Sequence, residues 1–163
     1  RHKGENYYYR VGDYMRGLLN LFVDKQTEKI SILVYHVTTI GFYESMGYMK
    51  EIDSLDNLKN SVDQYLNYSI SKYKDDNIED VDPFKKTKYK TWNKFFSNNY
   101  LIEVSYDMKG KVYEIRLPER ERKTMSFGNS IVGVDFKFTK EEYNEKFDDI
   151  MRYILDNIRT KQE

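Results

Sequence analysis

His36 is the one histidine away from the first few residues, and it lies inside ISILVYHV, residues 30 to 37, the most apolar stretch of the chain. An imidazole works as a general base or metal ligand when a second histidine or clustered carboxylates stand at ligand spacing, and the sequence supplies neither. A buried structural histidine is the expectation. Acid pairs such as Glu141 with Glu142 and Asp148 with Asp149 have the composition of a general acid–base couple. In a chain that is 33% charged such pairs arise readily, and these read as solvated helix faces. SFGNS, residues 126 to 130, carries Ser and Gly but not the G-x-S-x-G order of a nucleophile elbow, nor the GK[ST] ending of a phosphate loop. It reads as a turn into a strand, with Gly128 and Asn129 as the turn residues. The chain has no cysteine, which excludes disulfides, thiol nucleophiles and thiolate metal sites. The inventory therefore predicts no catalytic residue, no metal ligand and no cofactor, and a protein that is not an enzyme.

Two charged stretches suit binding rather than catalysis. KKTKYKTWNKFF, residues 85 to 96, interleaves five lysines with rings. Cations neutralise phosphate while rings stack on bases, so Lys85, Lys86, Lys88, Tyr89, Lys90, Trp92 and Lys94 form a candidate nucleic-acid grip. The competing reading is an exposed strand or turn whose Tyr89, Trp92 and Phe95 or Phe96 pack inward while the lysines face water. Just upstream, DDNIEDVDP contributes Asp75, Asp76, Glu79, Asp80 and Asp82, a candidate partner-binding patch that could steer and occlude a basic cleft. Those carboxylates would repel a phosphate backbone, which favours the inward-packing reading of the lysine stretch. PERERK, residues 118 to 123, follows a strand-ending proline and reads as a solvated loop.

The elements that must carry these residues follow from composition and period. With 163 residues the chain suits a single domain, and 16% aromatic content with only two prolines marks a folded one. Lys plus Arg equals Asp plus Glu at 27 each, which removes a global electrostatic case for nucleic acid or an anionic membrane as main partner. No apolar run is long enough to span a bilayer and no signal-peptide pattern opens the sequence, so the expected location is the cytoplasm.

LLNLFV and ISILVYHV, separated by DKQTEK, read as a β-hairpin, and FYESMGYMKEI as a shorter third strand. Leu55, Leu58, Val62, Tyr65, Leu66, Ser69, Ile70 and Tyr73 recur at helical steps, predicting an amphipathic helix over 54–73 capped by Asp53 or Ser54. The second half repeats this order. NYLIEVSYD and KVYEIRLP flank Met108, Lys109 and Gly110, with Gly110 expected at positive φ. SFGNSIVGVDFKF offers a third strand, followed by a helix over 140–159 with Thr139 and Glu142 as a capping box. Laying Thr139 on Ser54 brings Leu58, Val62, Leu66 and Ser69 into register with Tyr143, Phe147, Met151 and Ile154. The expected fold is α+β: antiparallel sheet from a doubled β-β-β-α unit, with two amphipathic helices packed on it. Its halves, about 16–74 and 100–159, are joined by a charged connection over 75–99. One three-stranded half buries too little to stand alone.

This order, with W-x-x-F-F at Trp92 to Phe96, the strand pair LIEVSYDMKGKVYEIRLP, SFGNSIVG and the FTKEEYNEKFDDIMRYIL helix, resembles contact-dependent growth inhibition immunity proteins. The resemblance covers mainly residues 85 to 158. It implies a bacterial cytoplasmic protein whose partner is the C-terminal domain of a cognate toxin, a nuclease in many cases, inhibited by stoichiometric binding. It implies neither membrane nor nucleic acid as partner. No toxin-contact motif carries over, and the acidic run is the candidate contact read from the residues themselves.

Overall fold

The computed structural model describes residues 15–52, 54–75, 77, 87–121 and 126–163. Its elements run β1 (Arg16–Asp24), β2 (Ile30–Val37), β3 (Tyr43–Ile52), α1 (Leu58–Ser71), α2 (Trp92–Ser97), β4 (Asn99–Asp107), β5 (Val112–Glu121), β6 (Ser126–Phe138) and α3 (Lys140–Gln162). The strands form one antiparallel sheet in the order β3-β2-β1-β4-β5-β6. Each half is a meander, and the halves join where β1 pairs with β4, from Arg16 opposite Asp107 to Asp24 opposite Asn99. The α+β fold with two helices on an antiparallel sheet is thus as the periodicity predicts.

Alternation along each strand sorts side chains onto two faces. Leu19, Leu21, Ile32, Val34, Ile102, Val104, Ile115 and Leu117 point to one face and are buried there against Leu58, Val62 and Leu66 of α1 and Tyr143, Phe147, Met151, Ile154 and Ile158 of α3. Both helices therefore cover the same side, α1 over the first meander and α3 over the second. Thr139 and Glu142 close the predicted capping box, each accepting from the other's backbone N–H. That is worth about 1 kcal/mol of helix stability.

Ser69 sits in the apolar stripe of α1 for a polar reason. Its Oγ accepts from the Leu18 N–H at 3.0 Å and donates to the Tyr35 carbonyl, bridging the two paired residues where β1 and β2 begin to separate. Gly17 permits that approach: a Cβ there would lie 3.0 Å from the Leu66 carbonyl oxygen.

Four local expectations are corrected. Ser54 makes no capping bond, because a 3-10 turn over Leu55–Asn57 intervenes before α1; Asp53 lies outside the described residues. Lys111 (φ 55), not Gly110, takes the positive φ in the β4–β5 turn. SFGNS, expected as a turn leading into the third strand, already belongs to that strand, β6, whose ladder with β5 shifts register twice, once between Phe127 and Ser130 and once across Gly133 (φ +82). PERERK is not a loop as far as Glu121: β5 continues through Pro118 with register shifts on either side of it, since proline has no N–H to give the ladder.

Candidate interaction surface

Among the described residues no long helix packs on the sheet's other face. At one end it is covered by a strap, residues 87–99, which contains α2. Thr91 caps α2 by accepting from the Lys94 N–H. Phe95 meets Phe22 edge-on at 4.8 Å and packs with Leu33, Tyr35 and Leu101. Phe96 lies 4.3 Å from Phe127 and 5.3 Å from Trp92. The described part of KKTKYKTWNKFF, residues 87–96, is thus a strap with a short helix, not a strand, and Phe95 and Phe96 are buried while Tyr89 and Trp92 are half-buried.

The strap is pinned from both sides. Asp24, at the end of β1, accepts from the Gln26 and Thr27 amides through Oδ1 and from the Tyr89 hydroxyl, at 2.5 Å, through Oδ2. Burial pushes the Asp24 carboxyl up, but the Tyr89 and backbone hydrogen bonds, with Lys88 nearby, outweigh it and hold it below its ordinary value. Burial, and then this carboxylate, raise the Tyr89 hydroxyl. From the other side Arg120 donates to the carbonyls of Phe96 (2.8 Å), Asn99 and Gln162 (3.2 Å), and its guanidinium lies over the rings of Phe96 and Phe127. Gln162, 1% exposed, locks the end of α3: its amide accepts from Leu101 N and donates to the Leu101 and Pro118 carbonyls.

Beyond the strap the same face carries a charged ladder. Glu103 lies opposite Arg116, which lies opposite Asp135; in the next row Ser105, Glu114 and Lys137 are neighbours. Arg116 pairs with Glu103 and also donates to Ser130 Oγ at 3.2 Å. Burial first, then a hydrogen bond with Asp135 and that residue's charge, push the Glu114 carboxyl up to about 7, against Lys137 and Arg116.

Of the acidic run, Asp75 is described: it pairs loosely with Lys72 at 3.8 Å and accepts from the Asn77 N–H. Asp76, Glu79, Asp80 and Asp82 lie outside the described residues, as do Lys85 and Lys86. Of the lysine stretch, Lys88, Lys90 and Lys94 are exposed, and Lys88 stands 3.8 Å from Asp24. His36 is 1% exposed, with Nδ1 at 3.2 Å from the Lys72 carbonyl and Nε2 without a hydrogen-bond partner among the described residues. Among the described residues no group of His, Asp or Glu is arranged to hold a metal ion. A cleft of about 590 Å³ opens between the β1–β2 turn and the end of α3, lined by apolar side chains such as Ile52 and Leu155 together with Glu28, Asp156 and Arg159. No helix among the described residues is long and apolar enough to cross a membrane.

The pinned strap and the Arg120 contacts were not legible in sequence; a charged residue two positions past a proline reads as solvated.

No protein-family model matches the chain, and no curated protein does. Among solved structures it is similar to a protein of unknown function from Neisseria meningitidis, with a TM-score of 0.56 and 11% identity over 91% of this chain and 98% of that one. It is also similar to a chain of the CdiA-CT/CdiI toxin and immunity complex from Yersinia pseudotuberculosis, with a TM-score of 0.53 and 10% identity over 93% and 100%. The likeness is one of fold. It extends over nearly the whole of each chain, so both meanders and both long helices take part.

Proposed function

We propose that this protein neutralises a bacterial toxin by binding the toxin's C-terminal domain one to one and covering its active site, in the cytoplasm of the cell that it protects. The observation that carries the reading is the fold shared, end to end, with a chain from a toxin and immunity complex. Occlusion requires a rigid surface and no reacting group, which suits a molecule in which three of the buried polar residues, Ser69, Asn99 and Gln162, are committed to backbone hydrogen bonds.

The contact is the acidic run. From Asp75 to Phe84 five carboxylates occur with no lysine or arginine among them, a local field that speeds encounter with a basic cleft such as that of a nuclease. The test uses the C-terminal domain of a large secreted protein encoded beside this chain. Expressed alone that domain arrests growth; with this protein growth resumes, and the two elute as a one-to-one complex. Neither rescue nor complex would overturn the reading. Changing Asp75, Asp76, Glu79 and Asp80 together to Ser weakens the complex with the fold intact; unchanged affinity removes the acidic run from the interface and leaves neutralisation standing.

The alternative, a nucleic-acid module on the lysine stretch, predicts salt-sensitive retention on single-stranded polynucleotide. With Phe95 and Phe96 buried, Tyr89 tied to Asp24 and Trp92 half-buried against Phe96, weak retention is expected.

A further inference from the structure

β6 ends the sheet, and no other described strand pairs with its outer edge. An open edge presents a row of backbone donors and acceptors that another strand can satisfy. Its last five residues, 134–138, form a regular stretch bounded by the positive-φ Gly133 before and the helix cap Thr139 after. Their sequence is Val-Asp-Phe-Lys-Phe, which is its own antiparallel complement about the central Phe136.

We propose that this edge pairs antiparallel with the same segment of a second copy of the chain, about a twofold axis through Phe136. Val134 then lies opposite Phe138 of the second copy, and Asp135 opposite its Lys137, twice over by symmetry. The charges carry the argument further than the edge itself. Within one copy the helix-free face runs Glu103, Arg116, Asp135 in one row and Ser105, Glu114, Lys137 in the next. Joining the first row to the second row of the other copy continues the alternation of sign without a break: Glu103, Arg116, Asp135, then Lys137 and Glu114. Directly opposite like charges destabilise a strand pair and unlike charges stabilise it, so this register is selected over its neighbours. Asp135 and Lys137 are both exposed, and Asp135 also meets Glu114 and Ser130 Oγ, the latter at 3.5 Å, within its own copy. On the helix side Tyr153 of α3, 43% exposed, sits edge-on to Phe136 at 6.3 Å, so rings from both copies flank the axis. The contact is independent of the toxin reading, and its test needs no toxin.

A pairing of five residues is small, which sets the dissociation constant on the order of 100 µM. Sedimentation equilibrium up to about 1 mM protein reads it directly, a range chosen to bracket such a weak contact. Asp135→Lys alone and Lys137→Glu alone each weaken self-association by roughly tenfold or more, because two symmetric attractions become two repulsions. Mixed in equal amounts, the two variants associate with each other, since the introduced lysines of one face the acids of the other. Should Asp135→Lys not fold by circular dichroism, Lys137→Glu alone carries the test. A parent chain that stays monomeric to the highest concentration would overturn the proposal. So would association that survives both single variants, or folded variants that fail to associate on mixing.

Discussion

Arg120 is the side chain on which the strap, the end of α3 and the far part of β5 all converge, and replacing it with lysine isolates what the guanidinium contributes. The fork reaches three carbonyls belonging to Phe96, Asn99 and Gln162, and lies over two rings. A hydrogen bond from a charged donor contributes about 1.5–3 kcal/mol, and a cation over a ring about 0.5–1 kcal/mol at a partly exposed site. An ammonium group is a point donor and cannot reach three divergent acceptors, so Arg120→Lys keeps the charge while losing at least one bond and most of the stacking. The net expected loss is about 2–3 kcal/mol, the individual values being non-additive. With a urea slope of about 2 kcal/mol/M for a chain of this size, the unfolding midpoint falls by about 1–1.5 M. Glu119→Ala, at the exposed neighbouring position, is the control and stays within about 0.5 kcal/mol of the parent. Equal midpoints for the two variants would show that Arg120 is the solvated loop residue that PERERK suggests, and that the strap is held by its rings alone.

Two further outcomes follow from the same geometry. Gln162→Leu fills the same space but strands Leu101 N and the Leu101 and Pro118 carbonyls, so stability falls by about 3 kcal/mol; a urea midpoint unmoved by the change would mean that water replaces the amide. Glu114 has a folded value of about 7, raised above its ordinary 4.5, so the folded chain holds its proton more tightly: the stabilisation is full below pH 4.5 and lost as pH rises through 7. For a half-exposed carboxyl solvent screening reduces this to about 1 kcal/mol, and Glu114→Gln flattens the stability profile between pH 4.5 and 7.5 by that amount; parallel profiles for parent and variant would count against the shared proton with Asp135.

What could be read in the sequence, and what could not, divides along the range of the interactions. Thr139 and Glu142 act within one helical turn, and the capping box was visible in four consecutive residues. The stripes of α1 and α3 are set by period alone, and Leu58, Val62 and Leu66 are buried as that period requires. Pro118 and the glycines misled for the opposite reason. A proline reads as a strand end, yet β5 absorbs it by shifting register against β6 and then resumes, which turns Arg120 inward. Gly128 and Asn129 read as a turn, but an edge strand tolerates weak strand formers because only one side of it must satisfy a ladder. The lysine stretch hid a six-residue helix, too short for any period to emerge, and what fixes it is Asp24, 65 residues away from Tyr89. Ser69 looked like a gap in an apolar stripe, since nothing local announces that its hydroxyl will bridge β1 and β2.

The pairing of β1 with β4 explains why the halves cannot be separated and why the surface is nonetheless free to vary. Leu19, Leu21, Ile102 and Val104 are wholly buried on the strands that meet there. Splitting the sheet at that seam would expose these side chains and turn both strands into open edges, at about 1.5–3 kcal/mol for each large apolar side chain returned to water. Stability is therefore concentrated in the centre of the sheet and under the two helices. Asp75, just after α1, and Lys137, on the edge strand β6, lie outside that centre, where a single substitution changes stability by about 0.5 kcal/mol or less. The proposed binding role needs this separation, because charges at a contact can be exchanged without disturbing the seam. On that argument Asp75→Ser leaves the unfolding midpoint almost unmoved, whereas Ile102→Ala, in the seam, lowers it sharply.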